Sequence, residues 1–372
     1  MTTTRQFLIF TGGRKLDYTK NANAYQKLAM VAGMENGWIV VPPGYEGFAK
    51  DEFGAKAIAS NDPRIDAKNA LYCRGVSNET TMLAALRDRL FRHRRYVALF
   101  WDPPGVTRRD DPRLLMRLRC CVMDALMELV MRFSEATVMN LHPGFLEGRF
   151  SAKALAKVKV FPNGTMVAAN QQAAKDVVRR PKRISISSGF TASKGCWELV
   201  ELIKRLWTRE PETEFLWVGT GPDSDEVVRR LREAGCEGPR LILTGGIPLQ
   251  ESMRLQASCQ IGVCLYRDVP SLRWNYVLKA PEALSLGLPL FAWRLPGISE
   301  YVKDGETGFL LDEGRIDELA DKICALLNDP ARLQRMREAC LRRAQDYDWN
   351  RVNDEIRLIF AEKFGILSAN HF

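Results

Sequence analysis

Short apolar runs alternate with longer amphipathic stretches along most of this chain, and that alternation restricts the fold more than any other feature. The candidate strands are Phe7–Phe10, Trp38–Val41, Val97–Trp101, Ala136–Asn140, Val158–Phe161, Ile184–Ser187, Glu214–Val218, Arg240–Leu243, Ile261–Leu265, Leu288–Ala292 and Gly308–Leu310. Helical periodicity falls between many of them, over Asn78–Arg92, Pro112–Phe133, Trp197–Arg209, Asp223–Ala234, Leu249–Ser258, Lys279–Leu286 and Ile316–Asn328. A strand that must cross over through a helix pairs in parallel, and parallel sheets need helices on both faces. The expected class is therefore α/β, with two Rossmann-like doubly wound domains. The turn cluster Phe161-Pro162-Asn163-Gly164 marks the division. This gives a first domain over residues 1–165, a second over 166–345, and an amphipathic tail over 346–372. In the tail, Val352, Ile356, Ile359 and Phe360 recur at helical spacing.

Charge and cysteine usage narrow the remaining classes. Lys and Arg number 54 against 45 Asp and Glu, a net charge of +9, which suits phosphorylated, nucleic-acid or anionic-lipid partners without choosing among them. The nine Cys are scattered, there are three His, and no CxxC pair occurs, so neither a structural zinc site nor a disulfide framework is expected. Scattered thiols fit a reducing, cytoplasmic setting. The apolar run Phe7–Phe10 is too short for a signal-peptide core, and no stretch reaches the ~18 apolar residues of a membrane span.

In open parallel sheets, ligands bind beyond the carboxyl ends of the strands, so the strand-end loops hold the candidate chemistry. Strand Ile184–Ser187 runs into Ser188-Gly189-Phe190-Thr191-Ala192-Ser193-Lys194-Gly195 and then a helix, a setting in which an ammonium and a helix N-terminus suit a phosphate. Strand Glu214–Val218 runs into Gly219-Thr220-Gly221-Pro222-Asp223, where small residues let backbone approach a ligand or the neighbouring loop, and Asp223 is placed to cap the next helix. Strand Arg240–Leu243 ends in Thr244-Gly245-Gly246-Ile247-Pro248, whose backbone could read a nucleobase edge. The irregular Pro270–Tyr276 carries Arg273 and leads to Lys279 and Glu282, three apart on one helical face. There the lysine can neutralise a phosphate and the carboxylate can accept from two ribose hydroxyls.

Taken in order, PNG, the strand–G…KG–helix loop, FLWVGTGP, LTGGIP, KAPEALSLGLPL and ETGFLL resemble the donor-sugar domain of GT-B glycosyltransferases. The nearest likeness is to the group 1, family 4 class and its relatives. The resemblance covers about residues 158–362, with a C-terminal Trp-bearing helix that in such enzymes crosses back onto the first domain. It implies a hexosyltransferase-type enzyme using a UDP- or GDP-linked sugar, with no cofactor and no metal. It further implies that Lys194 contacts the donor diphosphate, that Lys279 adds charge beside it, that Glu282 holds the ribose, and that Gly245, Gly246 and Ile247 line the base. Gly12 and Gly13, after the first strand, look like the glycine pair that lies against donor phosphate and sugar. Two positions depart from the pattern. Phe190 stands where many family members have Arg, and Trp274 stands where the E-x7-E pattern has its first Glu. Arg273 and Lys279 are the candidates to supply the missing contacts.

In the first domain Asp102 directly follows a strand, in a loop stiffened by Pro103 and Pro104. An inverting transfer needs a carboxylate to take the acceptor proton, and Asp102 is the expected base, ahead of Glu35 and Asp17. The alternatives are a retaining transfer, in which the leaving phosphate assists attack, and a non-catalytic sugar-nucleotide or anionic-polymer binder. His142, in Asn140-Leu141-His142-Pro143-Gly144, is a further donor or hinge candidate. Between Arg87 and Arg119 lie ten Arg against four Asp, a surplus of six positive charges. That surplus suggests an anionic membrane surface or a glycan acceptor on a lipid carrier, and peripheral placement at the inner membrane face. Nucleic acid is disfavoured, because no aromatic-studded basic sheet or helix-turn-helix pattern accompanies the charge.

Overall fold

The structure, a computed structural model, describes residues 7–10, 37–41, 56–59, 61–65, 71–75, 78–100 and 110–364. It divides into two compact units, one of residues 1–162 with 349–372 and one of residues 163–348.

Unit 1 carries β1 (Phe7–Phe10), β2 (Gly37–Val41), β3 (Lys56–Ala59), β4 (Leu71–Gly75), α1 (Glu79–Arg92), β5 (Tyr96–Phe100), α2 (Leu114–Phe133), β6 (Ala136–Met139), α3 (Ala152–Leu155) and β7 (Val158–Val160). Among the described residues, its seven strands are parallel in the order β3-β2-β1-β4-β5-β6-β7. β5 and β6 are buried along their whole length, as expected of central strands covered on both faces. Asn78 caps α1 in a reciprocal box with Thr81, which fixes where that helix begins. β3 and β4 are additions to the expected strand set.

Unit 2 carries α4 (Val167–Ala174), β8 (Arg183–Ser187), α5 (Cys196–Arg209), β9 (Glu214–Val218), α6 (Ser224–Glu233), β10 (Leu241–Gly245), α7 (Leu249–Ala257) and β11 (Ile261–Cys264). It continues through α8 (Lys279–Ser285), β12 (Leu290–Trp293), α9 (Pro296–Ser299), β13 (Gly308–Leu311), α10 (Ile316–Leu327) and α11 (Pro330–Ala344). Its six parallel strands run β10-β9-β8-β11-β12-β13, so the winding direction reverses between β8 and β11. That reversal opens a crevice at the carboxyl ends of those two strands. Trp217, Phe215, Phe291 and Trp293 are buried in the core beneath it. Between the turn at the division and β8 the chain forms the helix α4.

The chain returns to unit 1 as α12 (Trp349–Phe364), where Trp349, Val352 and Ile356 are buried and the helix packs against β6.

Candidate functional site

The crevice of unit 2 is built from three loops fitted backbone to backbone. Gly219 has φ +155°, and a Cβ there would stand 2.1 Å from the Ser188 carbonyl oxygen. A Cβ on Gly221 would stand 2.2 Å from the Phe190 oxygen, and one on Gly195, at φ +74°, 2.0 Å from the Leu265 oxygen. No side chain fits at those distances, so the glycines of the β9 and β8 loops serve their neighbouring loops. The Trp217 indole donates to the Ser188 carbonyl at 3.0 Å from below. Asp223 stands at the N-cap position of α6 but makes no side-chain cap bond there. Its carboxylate instead accepts from the Ala192 N–H at 2.9 Å, fastening the β9 loop to the β8 loop. The cap expected at Asp223 is thus a cross-loop tie.

Over this platform stands Lys194. Its Nζ would lie 3.2 Å from a Cβ on Gly189, so the missing side chain is what makes room for the ammonium. Among the described residues Lys194 has no carboxylate partner. Burial first, and then the positive charge of Lys279, push its pKa below the ordinary lysine value. A half-buried lysine held beside another cation, with no carboxylate partner among the described residues, is suited to bind an anion. α5 begins two residues on, with Gly195 at its N-cap position and no side-chain cap.

Lys279 and Glu282 open α8. The Lys279 Nζ donates to Glu282 Oε2 at 2.9 Å, and the Glu282 side chain is 6% exposed. Among the described residues, the other carboxylate oxygen of Glu282 makes no hydrogen bond. Lys194, Lys279 and Glu282, expected from the motifs to share a ligand, are therefore together at the strand reversal. The approach to α8 is fixed by residues whose role the motif order left blank. The Asn163 side chain donates to the Tyr276 carbonyl at 2.6 Å, and the Tyr301 hydroxyl donates to the Asn163 carbonyl at 2.8 Å. The PNG motif is thus an anchor for the segment that delivers Lys279 and Glu282. Tyr266, buried at the end of β11, also faces this region. Burial pushes its phenol pKa well up, with lesser contributions from Cys264 and the Glu282 charge.

The remaining candidates stand apart from that group or are already engaged. Arg273 donates to both carboxylate oxygens of Asp268, at 2.7 and 2.6 Å, so a diphosphate would have to compete for it. Phe190 is a core residue, 4% exposed, meeting the Trp217 ring edge-on at 4.6 Å. An Arg in its place would have to leave the core to reach a phosphate. Gly245 ends β10 with φ +67° at a break in register, accepts from the Gly219 N–H at 3.1 Å, and has open space where a Cβ would be. Gly246 is exposed and Ile247 half-buried, on the far side of the β9 loop from Lys194. In unit 1, His142 opens the turn after β6, and its Nδ1 accepts from the Gly144 N–H at 3.1 Å, so Nε2 carries any proton. Gly12, Gly13, Asp17, Glu35 and Asp102 lie outside the described residues. Among the described residues, no cluster of His, Cys, Asp or Glu is arranged to hold a metal ion.

The arginine surplus between Arg87 and Arg119 is largely answered by acids, two of which lie outside that stretch. Arg92 and Arg94 pair with Asp88 at 3.3 and 3.8 Å, and Arg113 pairs with Asp111. Arg89 and Arg95 meet Glu135, and Arg119 meets Glu79. Arg108 and Arg109 lie outside the described residues. A sequence window counts only its own acids, which is why the surplus looked larger.

Residues 181–329 match the family model described as Glycosyl transferases group 1. The sulfoquinovosyl transferase SQD2 of Arabidopsis thaliana is 28% identical over 44% of this chain and 31% of its own length. The GDP-mannose:cellobiosyl-diphosphopolyprenol alpha-mannosyltransferase of Xanthomonas campestris is 27% identical over 55% of this chain and 53% of its own. These matches thus span between about a third and about half of the relatives' lengths. In fold, HepE of Anabaena, solved in complex with UDP, superposes with a TM-score of 0.71 at 15% identity, over 96% of this chain and 100% of that one. The fold of the chain is that of GT-B glycosyltransferases, and residues 181–329, within its second unit, are similar to the group 1 glycosyltransferases.

Proposed function

We propose that this protein transfers a sugar from a nucleotide diphosphate donor, UDP- or GDP-linked, to a hydroxyl of a glycan or lipid-linked glycan acceptor. The observation that carries this reading is Lys194: a half-buried ammonium with no carboxylate partner among the described residues, beside the Lys279–Glu282 pair, at the strand reversal of unit 2. Lys194 and Lys279 would hold the diphosphate, Glu282 the ribose, and the Gly245–Ile247 loop the base. Cations fixed before the reaction stabilise the departing diphosphate as its charge develops. The presence of UDP in the HepE complex and the diphosphopolyprenol acceptor in the name of the Xanthomonas relative support the donor and acceptor classes.

Glu282→Ala should weaken UDP or GDP binding by about 1.5–3 kcal/mol, the worth of hydrogen bonds to a charged group, and should weaken nucleoside binding comparably. Calorimetry finding unchanged affinity in a folded variant would remove Glu282 from the site.

Stereochemistry divides two readings. Asp102 as base implies inversion. The Xanthomonas relative is named an alpha-mannosyltransferase that uses GDP-mannose, itself an α-linked donor, and this favours retention for the present chain. In that reading the leaving phosphate receives the acceptor proton and Asp102 is not a base. The expected product is then the α-glycoside, with turnover of Asp102→Asn near that of the wild type. A β-glycoside together with a loss of roughly 10²–10⁴-fold on Asp102→Asn would restore the inverting scheme.

A further inference from the structure

Helices α1 and α2 of unit 1 bury one apolar face, Met82 and Leu86 on α1 and Met123, Met127 and Val130 on α2, and carry further large apolar residues on their exposed sides. Along α2, Leu115, Leu118, Val122, Leu129 and Phe133 are exposed at helical spacing, Leu115 by 76%. On α1, packed against α2, Leu83, Leu90 and Phe91 are exposed, Phe91 by 79%. These helices hold most of the large apolar side chains exposed among the described residues. A row of exposed large apolar side chains at helical spacing on a folded domain points to an interaction surface.

The charges on the same helices identify the occupant. No exposed residue of α1 or α2 is acidic. Asp88 is buried against Arg92 and Arg94, Glu79 is paired with Arg119, Asp124 with Arg149, and Glu128 accepts from the Ser151 hydroxyl. Arg87 stands on the α1 face one turn from Leu83 and Leu90, and Arg117 stands beside Leu118. Both are exposed, and neither has a carboxylate partner among the described residues. A second copy of the chain would bring these arginines against each other. A nucleic acid would satisfy the arginines and leave the leucines in water. A bilayer with anionic headgroups satisfies both: the leucine and phenylalanine side chains enter the acyl boundary, and the guanidinium groups reach the phosphates along their apolar stems.

We propose that the α1–α2 face docks unit 1 on an anionic lipid surface, in the plane of the interface and without spanning it. No helix among the described residues is long and apolar enough to cross a membrane. The proposal is independent of the reaction and of the donor site.

The test is flotation of the full chain with vesicles of phosphatidylcholine alone or mixed with phosphatidylglycerol. Binding is expected to the mixed vesicles only and should weaken with salt. Leu118→Glu with Val122→Glu should reduce it about tenfold or more, while the far-ultraviolet circular dichroism and the thermal unfolding profile stay at the wild-type form, which shows that unit 1 is folded. Arg87→Gln with Arg117→Gln should reduce it about tenfold and flatten the salt dependence. A polarity-sensitive probe on Cys121, the exposed thiol of α2, should shift to the blue on mixed vesicles alone. Absence of wild-type binding, or binding indifferent to the α2 substitutions, would overturn the proposal. So would preferential binding of an oligonucleotide, or a wild-type dimer that the α2 substitutions dissociate without any vesicle binding.

Discussion

Lys194→Met is expected to lower turnover by roughly 10²–10³-fold, the usual loss when one preorganised group facing developing charge is removed. It should cost much more affinity for a nucleoside diphosphate than for the nucleoside. The same substitution is expected to raise the thermal midpoint of unit 2. Burial and the charge of Lys279 hold the Lys194 pKa below its unfolded value, so the folded state disfavours the ammonium form. A lysine with a lowered folded pKa weakens the fold at neutral pH. That penalty is relieved only as pH rises through the lowered pKa towards the ordinary lysine value of 10.5. Methionine keeps the stem and removes the cost. Diphosphate affinity of the wild type should fall over the same alkaline range, because the charge that holds the ligand is lost there, and Lys194→Met should show no such limb. Equal losses for nucleoside and diphosphate, or a lower thermal midpoint in the variant, would mean that Lys194 is not an unanswered cation over the site.

Gly195→Ala is expected to be the most disruptive single methyl in unit 2. The added Cβ would stand 2.0 Å from the Leu265 carbonyl oxygen, and φ of +74° is a conformation that alanine resists. Left-handed backbone costs about 1–2 kcal/mol for a residue with a Cβ, and forced repacking typically about 1–3 more. The clash is with backbone at the end of β11, so no rotamer change relieves it. Chemical denaturation should show the midpoint of unit 2 falling accordingly. UDP binding should fall with it, since the same shift displaces Lys194. Gly235→Ala serves as the control. It too has positive φ, at +68°, but a Cβ there meets nothing within 4 Å. If the two variants lose equal stability, the loop contact contributes nothing and only backbone strain remains.

The sheets of both units were legible because their central strands are buried on both faces and therefore read as short apolar runs. β9 is Glu214–Val218 in both the sequence reading and the structure. β3 and β4 were not legible. β3 offers only Ile58 between two alanines, and β4 carries Arg74 and ends in glycine, so neither makes a run of β-formers. The Lys194, Lys279 and Glu282 constellation was legible from motif order. The engagement of Arg273 by Asp268 was not, because a pair across an irregular loop has no periodicity. α2 shows a different limit. Its sequence reads as the most apolar helix, interrupted by Arg117, Arg119, Asp124 and Glu128. Spacing alone does not say which side faces inward, and here Met123, Met127 and Val130 face in, Asp124 and Glu128 are half-buried against Arg149 and Ser151, and Leu115, Leu118 and Leu129 face out. The acids that answer the arginine stretch, Glu79 and Glu135, were hidden by distance along the chain.

The pairing of β8 with β11, rather than with the strand made just before it, bears on how the chain comes to have a site during synthesis. The loop of Gly189 and Lys194 is translated before β9, β10 and the strand that will flank it. Until β11 emerges and hydrogen-bonds to β8, the β8 edge stays open and Leu265 is absent from its place over Gly195. Nascent chains ending before residue 261 should therefore bind no nucleotide and should be prone to pair through that edge. Competence should appear in one late step, once β11 has closed the sheet and α8 has delivered Lys279 and Glu282.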